Sequence, residues 1–494
     1  MKKIQTLTLF AAVLLAAGCN TTSEPSPAGP VPNANQLAWQ EMETYAFLHY
    51  SLNTYTDEEW GYGNEDPALF NPSSLDVRQW VRTCKAAGMK GIIFTAKHHC
   101  GFCMWPSEFT GYSVKNSPWK DGRGDVVREL ADACREEGLK FAVYLSPWDR
   151  NHSGYATDEY ITYFRNQLRE LMTQYGEMFE VWFDGANGGN GWYDGADETR
   201  QIGPGYYGWE ETYRLVRELQ PGACIWGDNE KGADLRWCGT EAGFVGDPCW
   251  ATMKVDSSAT ASDRLHGQED APAWMPAESD VSIRPGWFYH RSEDNQVKSL
   301  AKMMDIYYRT VGRNGALLLN FPVTPEGLIH STDSLRGAEF AGMVKTIFGN
   351  NLAEGAKAQA SNVRGKSRRY AAANALDGNP CTYWATDDDV TEATLTIDFS
   401  NELTFNRFMA QEYIALGQRV RHFSLEAYTD GEWKKLSDEL AETGDGLNTI
   451  GHKRIVCFPR VTASKLRFTV TDSKACPLIS AIGVYNAPDI EGDF

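Results

Sequence analysis

Glu180-Val181-Trp182-Phe183-Asp184-Gly185-Ala186 is an apolar run that enters from a charged segment and stops on an acid followed by glycine. Such a run reads as a buried strand whose last residue emerges into a cleft, which offers Asp184 as a carboxylate nucleophile. Asp-Gly is equally an ordinary turn pair, and on these residues alone a turn-capping role stands level with the catalytic one. If the chemistry is hydrolysis of a glycosidic bond, a second carboxyl must protonate the leaving oxygen. Asp228, Glu230 and Glu241 are the downstream candidates. Glu241 is framed by Trp237, Gly239 and Gly243, surroundings of the kind that raise a carboxyl pKa, as a general acid requires. Glu230, in the polar run Asp228 to Lys231, reads as solvated.

The elements that must position these groups form a repeating unit of apolar run, polar loop and amphipathic helix. Ala46 to Tyr50, Gly91 to Ala96, Leu139 to Leu145, Glu180 to Phe183 and Ala223 to Trp226 are the first five runs. Val77, Trp80, Val81 and Cys84, spaced as one helical face, follow Asp76, while Asp125 precedes Val126, Val127, Leu130 and Cys134, with Gly138 as a stop. Further helices are expected over about Thr157 to Tyr175, Trp209 to Leu219, Val297 to Val311 and Leu335 to Phe348. Later strands are expected within Arg236 to Gly243, Ile283 to His290 and Ala316 to Pro322. Strand and helix alternating in this way imply a parallel α/β sheet. No glycine-rich phosphate loop follows the first run, and functional-looking residues end nearly every run, so a closed (β/α)8 TIM-like barrel is expected over an open doubly wound sheet. From about Gly355 the pattern changes to short alternating runs such as Ala393-Leu395-Ile397-Phe399, a separate all-β sandwich domain.

Met1-Lys2-Lys3, an apolar run from Leu7 to Ala17 and Gly18-Cys19 form an export leader ending in a lipobox-like sequence. We therefore expect residues 1–19 to be a lipoprotein signal with lipid attachment at Cys19 and residues 20–35 a tether. The barrel then occupies 36–350 and the sandwich 351–494, in an exported bacterial lipoprotein of the periplasm or outer membrane. A net charge of −19 argues against nucleic acid or anionic lipid as the main partner, and 16 Trp with 22 Tyr suit stacking on neutral sugars. Membrane contact is expected only through the anchor. His98-His99-Cys100-Gly101-Phe102-Cys103 invites a zinc reading, but no second ligand pair at finger-like spacing follows, so no metal is assigned.

Five motifs in order resemble glycoside hydrolase family 29, the α-L-fucosidases: Phe47-Leu48-His49-Tyr50-Ser51, Thr95-Ala96-Lys97-His98-His99, Val181-Trp182-Phe183-Asp184-Gly185, Ser282-Ile283-Arg284-Pro285-Gly286-Trp287-Phe288-Tyr289, and Gly312-Arg313-Asn314-Gly315 with Leu318-Leu319-Asn320. The resemblance implies an exo-acting, retaining α-L-fucosidase with Asp184 as nucleophile and no cofactor for catalysis. It implies a fucose pocket containing His49, Trp60, His98, His99, Tyr144, Trp182, Arg284 and Trp287. Glu241, in Arg236-Trp237-Cys238-Gly239-Thr240-Glu241, matches the acid/base motif of the branch acting on α-1,3/1,4-linked fucose, with Thr240 where Asn is usual and Cys100 where many members have Asp. Asn374 to Asn379 and Thr382-Tyr383-Trp384 resemble the F5/8 type C (discoidin-like) sandwiches. These often carry a structural calcium near the Asp377-Gly378 turn, and they either bind sugar or brace a neighbour. A retaining barrel glycosidase for another sugar, and a non-catalytic glycan-binding lipoprotein, are the alternative readings.

Overall fold

The first apolar run is a strand, β1 (Thr44–Leu48), buried along its whole length, as is β2 (Gly91–Lys97). Burial on both faces is what a parallel sheet covered by helices requires. The computed structural model describes residues 23–227, 232–255, 259–442, 444 and 446–490. Cys19, Asp228 and Glu230 lie outside the described residues. Six more parallel strands follow: β3 (Lys140–Leu145), β4 (Glu180–Trp182), β5 (Cys224–Trp226), β6 (Arg236–Trp237), β7 (Ala277–Ser282) and β8 (Ala316–Asn320). Their spatial order is β5-β4-β3-β2-β1-β8-β7-β6, and a parallel bridge from Trp226 to Leu235 joins the two ends. Chain order around a closed ring is the (β/α)8 arrangement.

Helix α1 (Ala34–Gln40) precedes the barrel, and α2 (Val77–Ala86), α3 (Val126–Glu137), α4 (Asp158–Gln174), α5 (Trp209–Leu219), α6 (Leu300–Arg309) and α7 (Ser331–Phe348) surround it. Val77, Trp80, Val81 and Cys84 are the buried face of α2. Asp76 and Asp125 cap α2 and α3 by accepting from Gln79 N at 3.0 Å and Arg128 N at 2.9 Å, bonds of a kind worth about 1 kcal/mol each. The strand expected within Ile283 to His290 is instead β7, six residues earlier. Pro285-Gly286 breaks the later segment, and the strand had no apolar run because Glu278, Ser279, Asp280 and Ser282 are all buried within it.

The second domain is a seven-stranded antiparallel sheet built on two 20-residue strands, Ala393–Glu412 and Arg454–Ser473, that bend at irregularities in their pairing. Ala393, Leu395, Ile397 and Phe399 alternate into a core with Phe408, Phe423 and Phe468. It is fastened to the barrel by a buried ion triad, in which Arg454 lies 3.0 Å from Asp247 of the barrel and 3.1 Å from Asp438 of the sheet. The stretch expected as a tether is laid along this domain from Ser23 onward: Arg364 Nε donates to Ser23 O at 2.8 Å, and Ala28 N to Leu416 O at 3.0 Å.

Candidate active site

A cavity of about 210 Å³ opens at the C-terminal ends of the barrel strands. His49 follows β1, His98 and His99 follow β2, Tyr144 is in β3, Trp182 ends β4 with Asp184 two residues beyond, and Glu241 and Trp287 come from the segments after β6 and β7. All of these line the cavity, as does Trp60, which is half exposed at the rim with its ring 5.1 Å from His99. Both candidate carboxyls thus face one space.

Asp184 is held from two sides. Tyr144 OH donates to its Oδ2 at 2.9 Å and Ala186 N to its Oδ1 at 2.7 Å, while His99 Nε2 stands 3.7 Å from Oδ2. Burial pushes the Tyr144 phenol well above its ordinary range, and Asp184 adds to the push, so the phenol keeps its proton. Burial also drives the three imidazoles down, His49 to about 3, leaving each neutral with one donor and one acceptor nitrogen. His49 Nδ1 is 2.9 Å from Asn320 Oδ1, and His99 Nδ1 is 2.8 Å from Ser146 Oγ. His98 Nδ1 is buried with no hydrogen-bond partner among the described residues.

Glu241 sits in a different field. Trp287 Nε1 donates to its Oε2 at 3.1 Å. Partial desolvation raises its pKa; the bond from Trp287 opposes this, while the charges of Asp184 and Glu59 reinforce it. One carboxyl fixed by donors beside a second pushed toward its protonated form is the division of labour that glycoside hydrolysis uses.

Arg284 does not join the cavity. It is buried behind it, with Nε 3.0 and 2.8 Å from the two Asp333 oxygens and Nη1 2.9 Å from Asp294, so it braces the loop that carries Trp287. Three contributors were not among the expected site residues, although Trp226 ends the fifth run and Asn320 lies in a family motif. Trp226 stacks on Trp182 at 3.8 Å, and Asn320 Nδ2 donates to Trp287 O at 2.9 Å. Asp280 lines the cavity and accepts from Trp237 Nε1 at 2.8 Å. Deeper in the barrel, burial raises both carboxyls of the Glu180–Glu278 pair, and Glu278 accepts from Trp182 Nε1 at 2.8 Å and from Tyr45 OH. This pair forms the polar floor under the stacked indoles.

Among the described residues, no group of three or more His, Cys, Asp or Glu is arranged to hold a metal ion. At the Asp377-Gly378 turn both Asp377 oxygens are taken by donors of the turn itself, Asn379 N at 2.8 Å and Thr382 Oγ1 at 2.7 Å. Each oxygen keeps a second lone pair beyond these bonds, so the carboxylate and the backbone oxygens of the turn are of the kind a calcium would take.

The family model for α-L-fucosidase matches residues 26–342. The chain belongs to the α-L-fucosidase family, glycoside hydrolase family 29. The F5/8 type C model matches residues 357–482, the second domain of this family member. Alpha-L-fucosidase 1 of Arabidopsis thaliana is 41% identical over 470 residues, covering 93% of this chain and 88% of the plant protein. Among solved structures, a glycoside hydrolase 29 family member from an unknown rumen bacterium is 59% identical with a TM-score of 0.86, covering 94% of this chain and 79% of that one. A Ruminococcus gnavus GH29 fucosidase in complex with fucose is 32% identical with a TM-score of 0.84, covering 95% and 98%.

Proposed function

We propose that this glycoside hydrolase is an exo-acting α-L-fucosidase that releases terminal α-linked fucose from glycans with retained configuration. Asp184 attacks the anomeric carbon as the bond to the leaving oxygen breaks, and Glu241 delivers its proton to that oxygen. Glu241, now a carboxylate, takes a proton from water whose oxygen attacks the same carbon, and the ester to Asp184 opens. The observation that carries this reading is the meeting of Asp184 and Glu241 in one cavity with opposite environments. Neutral His49, His98 and His99 suit ring hydroxyls, with His98 Nδ1 the unmet group, and the indole of Trp287 offers a face to the C6 methyl.

The Arg236 to Glu241 motif supports α-1,3/1,4 linkages. The leader supports an exported lipoprotein anchored at Cys19, in the periplasm or on the outer membrane. The test is a panel of nitrophenyl glycosides with the anomer of the first product followed by NMR. Release of α-fucose first is expected. Release of β-fucose would overturn retention, and turnover of a galactoside with none of the fucoside would overturn the substrate.

A further inference from the structure

Residues 23–33 form a strap that fixes where the chain leaves the molecule. Arg419, fully buried, donates through Nη2 to Ser26 O at 2.7 Å and through Nη1 to Cys476 O at 2.9 Å. Arg364 holds Ser23 O, Arg369 Nη2 lies 3.4 Å from Glu24 Oε1, and Pro25 is buried. The strap ends at Asn33, which caps α1, and Gln36 of α1 donates to Asp234 O and Trp274 O, both at 2.9 Å. Asp234 precedes β6, so α1 closes the N-terminal end of the barrel.

The sandwich is fastened to that same end. Glu43, just before β1, pairs with Lys453. Gly312 and Asn314, just before β8, meet Ile455 N at 2.9 Å, Lys453 O at 2.9 Å and His452 N at 2.7 Å. The catalytic cavity opens at the opposite, C-terminal end of the strands.

Cys19 stands four positions before Ser23. Four residues reach on the order of 14 Å even when fully extended. The seven residues of β2 alone span about 23 Å. A lipid on Cys19 therefore cannot pass around the sandwich and the barrel to bring the cavity mouth to the bilayer. The turns that hold Ser23 also present Lys366 and Arg368, exposed cations in a chain of net charge −19. Of the acids beside them, Asp387 accepts from Gly365 N, Asp388 pairs with Arg364 and Glu24 with Arg369, while Asp389 is exposed.

We propose that the anchored protein stands on the membrane through its sandwich domain, with the catalytic mouth turned away from the lipid, and so takes glycans from the surrounding medium rather than glycolipids of its own leaflet. This rests on the reading of Cys19 as a lipid-attachment site. The strap is then a spacer of fixed direction, and the sandwich is the foot of the enzyme.

The full lipidated chain in phosphatidylcholine vesicles containing phosphatidylglycerol and a headgroup quencher tests it. Among the described free cysteines only Cys381 is exposed, and it lies two residues from Tyr383, whose hydroxyl faces Glu24 at 3.5 Å. A dye on Cys381 is expected to lose most of its emission, and a dye on Asn187→Cys in a Cys381→Ser background, beside the mouth, to keep it. Equal or stronger quenching at position 187 would overturn the orientation. Vesicle binding that is absent, or that survives in Cys19→Ala, would overturn the anchor and with it this proposal. In the same vesicles a soluble fucosyl oligosaccharide should be hydrolysed as fast as by detergent-released enzyme, and a fucosylated glycolipid far more slowly. Hydrolysis of neither, with the quenching pattern intact, would count against the activity and leave the orientation standing.

Discussion

Tyr144 is fully buried and spends its only proton on Asp184, with the phenol oxygen 2.9 Å from Oδ2. Because burial keeps the phenol protonated, this donor is present at every working pH. Tyr144→Phe should lower kcat/KM by about 10- to 100-fold, the range for losing a hydrogen bond to a charged group. Steady-state kinetics on an aryl fucoside check this, and a loss under twofold would show that Asp184 is positioned without Tyr144.

Asp184→Asn keeps the shape and removes the charge. Turnover should fall by at least about 10⁴-fold, as for other nucleophile deletions, with thermal unfolding within a few degrees of wild type. A near-normal rate would remove Asp184 from the mechanism.

Glu241 must be protonated to act as acid, so kcat/KM should decline as pH rises through its raised pKa. Glu241→Ala should cost far more on substrates with poor leaving groups than on activated ones, with azide restoring the latter. Trp287→Phe deletes the hydrogen bond that favours the Glu241 carboxylate, so the alkaline limb should move to higher pH. A limb that stays in place would assign it to another group.

How much of this could be read from the chain follows from where the side chains point. Strands β1 to β5 and β8 carry apolar residues and were visible as runs, and Asp184, His98 and His99 were visible because they end them. Strand β7 was hidden because its polar residues turn into the barrel, where Trp182, Tyr45 and Trp237 satisfy Glu278 and Asp280. A hydrophobic-run criterion has no way to see a strand whose burial is met by hydrogen bonds. Arg284 stood out within a motif, yet the motif's work at that position is to bind Asp333 and Asp294 behind the site. Asn320 gained its role only through ring closure, which sets β8 beside β1 and so brings His49 within 2.9 Å.

Asp280 offers a test of a neutral acid inside the cavity. Burial, with Glu278 and Glu241 nearby, raises its carboxyl well above the usual range and favours the protonated form, against the opposing hydrogen bond from Trp237. Asn mimics that form. Asp280→Asn should therefore stay within a few-fold of wild-type kcat/KM, whereas Asp280→Leu strands the Trp237 N–H and should cost about 1–3 kcal/mol of stability. Equal losses in the two variants, read by kinetics and chemical denaturation, would mean that the site uses an ionised Asp280.

The two domains should unfold together, because Arg454 of the sandwich is buried between Asp247 of the barrel and Asp438 of its own sheet. Truncating one partner of a buried ion group leaves uncompensated charge, at a cost of about 3–5 kcal/mol. Arg454→Met takes from Asp438 its ion-pair partner and leaves Asp247 with the more distant Arg313, 3.9 Å away, and should lower the melting temperature and split one calorimetric transition into two. Replacing all three by Arg454→Met, Asp247→Leu and Asp438→Leu removes the three charges, with Arg313 keeping its pair with Glu442, and should recover much of the loss. A single transition at the wild-type temperature for Arg454→Met would show that the backbone bonds at Gly312 and Asn314 hold the domains together without the triad.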